Sequence, residues 1–134
     1  MSFVSHWPVL KAHGVTLDDL DASGAIRDDV VARWIEDAIS THLALCPSLP
    51  PAAARRSGPL PRGEELGRPE RVVVSAGAKE VGADSFTVAV RLRPILGGDP
   101  AVLDIMCEIE VPAGVTKEIR DELIAIELNA RHVN

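Results

Sequence analysis

Positive charge is in short supply in this chain. Fourteen Lys and Arg stand against twenty Asp and Glu among 134 residues, a formal net charge of -6 at pH 7. General affinity for nucleic acid needs clustered cations that displace counterions, so the balance argues against a nucleic-acid partner while leaving room for a local basic patch. Cysteine is scarce as well. Cys46 and Cys107 lie far apart in sequence and show no Cys-x-x-Cys spacing, so two buried reduced thiols are expected, with no metal site and no cofactor. Long apolar runs are missing too: none approaches the ~20 residues needed to cross a bilayer. The opening stretch Met1–Pro8 lacks the charged start and long apolar centre of a secretory signal, so the expected location is the cytoplasm, with no membrane partner. What is present, 46% hydrophobic and 25% charged residues, is an ordinary globular composition, and the length fits one domain across residues 1–134.

The chain is organised around Thr16–Leu45. This stretch opens as an acidic turn, Asp18-Asp19-Leu20-Asp21-Ala22-Ser23-Gly24, and continues without Pro or Gly as a helical pattern. At 100° per residue, Val30, Val31, Trp34, Ile35, Ala38, Ile39, His42 and Leu45 fall within an arc of roughly 180°. That arc is wider than a helix resting on a flat surface needs and suits one cradled by a curved sheet, about 30 Å long. His42 reads as a satisfied core or C-terminal histidine. Before the helix, Trp7–Leu17 reads as a strand with Val9, Lys11, His13, Val15 and Leu17 on one face, His13 solvated, and Gly14 marking a bulge or close approach.

After the helix, residues 46–70 are rich in Pro, Gly and Arg, which rules out a long regular element. Arg55, Arg56, Arg62 and Arg68 read either as part of a solvated connection or as an arm that meets phosphates. Three alternating runs follow. Val72, Val74, Ala76 and Ala78, then Phe86, Val88, Val90 and Leu92, then Leu103, Ile105, Cys107, Ile109 and Val111 each share one face. The turns between them, Gly82-Ala83-Asp84 and Gly97-Gly98-Asp99-Pro100, are short, so an antiparallel meander is expected. Ile119, Leu123, Ile126 and Ala130 recur at helical spacing behind Thr116, a candidate N-cap; a short strand over Leu123–Leu128 is the alternative.

A carboxylate just ahead of a helix is a cap, or it is a catalytic base or nucleophile, and for Asp21 the residue types alone favour the cap or turn. The pattern as a whole resembles a known family. Asp19-Leu20-Asp21-Ala22-Ser23-Gly24, followed by Arg33-Trp34-Ile35-Glu36-Asp37-Ala38, is similar to the D-x-D-x-x-G and R-W-x-E-x-A motifs of the hot-dog-fold acyl-CoA thioesterases, in particular the 4-hydroxybenzoyl-CoA thioesterase-like branch. Val81–Val88 and the tail Val115–Leu123 look like that family's strand turn and closing segment.

The resemblance implies an α+β hot-dog fold, an antiparallel sheet wrapped around one long central helix. It implies hydrolysis of an acyl-CoA or acyl-carrier thioester, with Asp21 as nucleophile or general base and the backbone N–H groups of Gly24, Ala25 and Ile26 polarising the thioester carbonyl. Asp19, Arg27 and Asp28 are implied as cleft-lining residues. A homodimer or homotetramer is implied, with sites between subunits. The chain departs from the family pattern just after Gly24. The usual Asn or His one turn into the helix is replaced by Arg27 or Asp28, and the usual Tyr by Val31. Two other classes follow from those departures: a non-catalytic hot-dog module that binds an acyl chain or assembles, and a hydratase or dehydratase, whose paired His and carboxylate find no evident source in His6 or His13.

Overall fold

Period-two burial turns into three long strands and two short ones. The computed structural model describes residues 7–97 and 102–132. Its elements are β1 (Val9–Gly14), α1 (Asp28–Leu43), β2 (Ala54–Ser57), β3 (Pro69–Val81), β4 (Ser85–Gly97), β5 (Leu103–Glu110) and α2 (Lys117–His132), with 3-10 turns at Leu17–Asp19 and Gly63–Leu66. The five strands form one antiparallel sheet in the order β1-β3-β4-β5-β2.

The inner face is the alternating set read from the sequence. Val72, Val74 and Ala76 of β3, Phe86, Val88, Val90 and Leu92 of β4, and Ile105, Cys107 and Ile109 of β5 are all buried. Against them α1 buries Val30, Val31, Trp34, Ile35, Ala38, Ile39 and His42. One long helix held in an antiparallel sheet is the hot-dog arrangement. Ile119 and Leu123 of α2 join the same core, and Thr116 caps that helix through its Oγ1, which accepts from Ile119 N at 3.2 Å. The tail is therefore helix, not strand. Cys46 and Cys107 are buried free thiols, and burial first, then Glu122, raises the Cys46 thiol to about 11.

Several local expectations are corrected. β1 ends at Gly14, and Val15–Leu17 leave the ladder for a 3-10 turn, so the strand stops short of Leu17. No neighbour crowds Gly14. α1 spans 16 residues and ends at Leu43, leaving Leu45 44% exposed; its length is about 24 Å. The 46–70 connection contains β2, whose four residues are all exposed and so carry no alternation for a sequence reading to find. His13 is not solvated: its ring stacks on Trp34 at 4.9 Å and its Nε2 is buried without a partner. Burial accordingly lowers the His13 pKa. His42 is fully buried as expected, but neither ring nitrogen has a hydrogen-bond partner; Nε2 stands 4.0 Å from Glu127 Oε1. In the second turn, Gly98, Asp99 and Pro100 lie outside the described residues, as does His6.

Candidate active site

The acidic turn is a small closed loop in front of α1. Leu20 and Ile26 form an isolated antiparallel bridge, with Asp21 N donating to Ala25 O and Arg27 N to Asp19 O, both at 2.8 Å. Gly24 sits at φ +86, a backbone region that favours glycine. This closure delays the helix: α1 begins at Asp28 with Arg27 as its N-cap residue. Gly24, Ala25 and Ile26 therefore precede the helix N-terminus, contrary to the sequence expectation. The N–H groups at the true start belong to Asp28 and Asp29, whose acidic side chains suit the positive dipole end.

Asp21 is exposed, and one of its carboxylate oxygens organises the turn. Oδ1 accepts from Ser23 Oγ at 2.6 Å, Ser23 N at 2.8 Å and Ala25 N at 3.1 Å. The Ser23 hydroxyl is the main cause holding the Asp21 pKa below the ordinary carboxylate value, with backbone N–H groups adding to it. Oδ2 takes part in none of these bonds. Of the three N–H groups assigned to carbonyl polarisation, two are engaged within the turn: Gly24 N donates to Asp21 O at 3.1 Å and Ala25 N to Asp21 Oδ1.

The remaining site residues have structural partners. Asp19 Oδ2 accepts from Thr16 N at 2.9 Å and Thr16 Oγ1 at 3.1 Å, closing the first 3-10 turn. Arg27 pairs with Asp29 at 2.6 Å and donates to Asp18 O at 3.0 Å. Asp28 Oδ1 accepts from Gly63 N at 2.8 Å and so ties the long connection to the start of α1. Gly63 is required there, since a Cβ on it would stand 1.6 Å from Ile26 O.

Leu20, Gly24 and Ile26 of this turn line an open cleft of about 560 Å³, with Val15, Thr16, Leu17, Arg68, Pro69 and Glu70 completing the wall. Arg68 of this wall donates to Ser23 O at 2.9 Å. Sequence reading missed Ser23 and Gly63. For Ser23 the signal exists in the Asp-x-Ser spacing of a side-chain-closed turn; for Gly63 only the fold supplies it. A smaller pocket of about 210 Å³ lies between β3 and α2, near Glu127, at the other end of α1. Among the described residues no group of three or more His, Cys, Asp or Glu could hold a metal ion, and no helix is long and apolar enough to cross a membrane.

No family model and no curated protein sequence matches the chain. Solved structures do. A thioesterase from Thermus thermophilus, complexed with coenzyme A and Zn, matches with a TM-score of 0.64 at 18% identity over 92% of this chain and 98% of its own. An aspartate-to-asparagine mutant of 4-hydroxybenzoyl-CoA thioesterase, complexed with 4-hydroxybenzoyl-CoA, matches at 0.55 and 14% identity over 86% and 97%. A gentisyl-coenzyme A thioesterase matches at 0.51 and 15% over 87% and 99%. At these identities the likeness is one of fold.

Proposed function

We propose that this chain, which shares its hot-dog fold along most of its length with three thioesterases, hydrolyses an acyl thioester of CoA or of an acyl carrier, with Asp21 as nucleophile or general base. The observation that carries the reading is the state of the Asp21 carboxylate. One oxygen is anchored by Ser23 and Ala25, the other takes part in none of those bonds, and Leu20, Gly24 and Ile26 of the same turn, though not Asp21 itself, line an open cleft. An anchored, ionised carboxylate with one free oxygen is suited to attack a thioester carbonyl or to take a proton from water.

As nucleophile, Asp21 forms a bond to the carbonyl carbon, the thiolate leaves, and water resolves the acyl-enzyme anhydride. The oxyanion is met by the Ile26 N–H and the first-turn N–H groups of α1, at the positive end of its dipole. The Ala25 N–H completes the set, while the Gly24 N–H stays on Asp21 O and holds the turn in shape. Ala25 becomes available as the carboxylate spends its charge on the new bond and loosens its hold. Asp19 and Arg27 hold the turn through Thr16 and Asp18, and Asp28 ties it to the connection through Gly63. The active assembly is a homodimer or homotetramer, in which a second subunit covers the exposed Asp21.

Thiol release from a panel of acyl-CoA thioesters tests the reading. Asp21→Asn is expected to lower the rate by at least about a hundred-fold; equal rates in the two proteins would sink it. One observation favours a second reading. The three bonds to Asp21 Oδ1 are also those of a turn-forming aspartate, which describes a non-catalytic module that binds an acyl chain. Stabilisation by acyl-CoA without turnover would establish that module instead.

A further inference from the structure

Four arginines occupy the connection between α1 and β3, and three are neutralised. Arg55 pairs with Glu36, Arg56 with Glu110 at 2.9 Å, and Arg62 with Glu64 at 3.5 Å and Asp28 at 3.9 Å. Arg68 has no carboxylate partner among the described residues. It uses one N–H on Ser23 O and lines the cleft, which leaves four of the five guanidinium donors for a ligand.

The backbone is shaped to bring it there. Gly67, at φ +70, turns the chain immediately before it. Gly24 offers a bare backbone beneath the guanidinium: a Cβ there would stand 3.4 Å from Arg68 Cζ. The rest of the wall is apolar at Val15, Leu17, Leu20 and Ile26. A cleft of this kind takes methylene groups along its wall and an anionic oxygen pair at one point, where a planar guanidinium binds a carboxylate with two parallel bonds.

We propose that Arg68 reads a free carboxylate at the far end of the substrate's acyl group, so that the preferred substrates are thioesters of dicarboxylic acids; this rests on the thioester-hydrolase reading above. The phosphates of CoA are the other anionic candidates. They are separated from the sulfur by the long pantetheine arm, whereas Arg68 is bonded to Ser23, the residue whose hydroxyl and amide hold Asp21. An anion at Arg68 therefore lies nearer to Asp21 than phosphates at the end of the pantetheine arm would, within reach of the far end of a short acyl group. Glu70 also lines the cleft; its repulsion confines the acid end to the Arg68 position.

The test compares glutaryl-CoA with pentanoyl-CoA, which differ only by a carboxylate in place of a terminal methyl, on the wild type, Arg68→Ala and Arg68→Lys. The wild type is expected to prefer glutaryl-CoA by about ten-fold or more in kcat/KM. In Arg68→Ala the preference collapses to within about two-fold, the change falling on KM, and Arg68→Lys restores part of it because a point charge remains without the fork. A wild type with no preference, or a preference unchanged in Arg68→Ala, overturns the proposal. An equal loss of affinity for both CoA thioesters, absent with N-acetylcysteamine thioesters, assigns Arg68 to a CoA phosphate and overturns it too. Calorimetry with the matching carboxyalkyl and alkyl thioethers of CoA, which cannot be hydrolysed, separates the two readings. Tighter, Arg68-dependent binding of the acid thioether without turnover of any thioester keeps the Arg68 site and rejects the hydrolase. Turnover with equal binding of the two thioethers does the reverse.

Discussion

Ser23 does more at the acidic turn than its side-chain size suggests. Its hydroxyl is the largest cause of the lowered Asp21 pKa. A lowered carboxylate pKa means that Asp21 stays ionised to lower pH than an isolated aspartate. The associated stability is present above the unfolded-state value and is lost as pH falls through the folded-state value. Ser23→Ala removes the donor, so the Asp21 pKa rises toward its ordinary value. The acid limb of the pH–rate profile is expected to move upward with it, while the rate at neutral pH changes less. An acid limb in the same place would mean that Asp21 does not govern it. Asp21 and its neighbourhood were legible in the sequence as a motif, but apart from the Asp-x-Ser spacing that points to Ser23 its partners were not. Hydrogen bonds between residues two and four apart depend on whether the chain closes into a loop or enters a helix, and at Asp21–Ala25 both outcomes suit the same residue types.

At the scale of the elements, the strands were read more faithfully than the helix ends. Alternation such as Val72-Val74 against Arg71-Val73 reports burial directly, because one face of β3 meets the core. The start of α1 carries no such signal. Gly24 and the Leu20–Ile26 bridge postpone it to Asp28, and periodicity cannot detect a boundary that a loop imposes. β2 escaped for the opposite reason: Ala54-Arg55-Arg56-Ser57 has no buried face at all, and it is placed by pairing with β5. The contact between the Gly63–Leu66 turn and the front of α1 is likewise a product of the fold. Because a Cβ at Gly63 would meet the Ile26 backbone at 1.6 Å, Gly63→Ala is expected to cost about 3 kcal/mol. Thermal unfolding should then fall by roughly 10 °C. A change within a degree or two would show that the turn is free to shift.

The whole molecule is a sheet with two edges, β1 and β2, and with apolar side chains left in solvent. Leu10 is 62% exposed and Met106 54%. Unpaired edges invite pairing with another chain unless they are blunted or covered. The assembly proposed above, a homodimer or homotetramer, would supply such cover. Light scattering on the purified protein is expected to give two or four times the 14.3 kDa chain mass, and a monomer at micromolar concentration would remove the second subunit from the proposed site. One helix wrapped by an antiparallel sheet was legible because it follows from one wide apolar helix and three alternating strands, and the resemblance supplied the hot-dog identity. The assembly was proposed by likeness alone, since nothing in a single chain's alternation says which edge meets a partner.

The bond from Gly63 N to Asp28 divides the connection between α1 and β3 into two parts with different tolerance to length. Between Gly58, whose N–H donates to Met106 O, and Arg62, added or removed residues change mainly the closure entropy of a loop, which grows slowly with length. Between Gly63 and Pro69, the same change carries Arg68 away from Ser23 and reshapes the cleft wall. The first part is a place to insert a tag or splice a longer loop, and the second is a ruler.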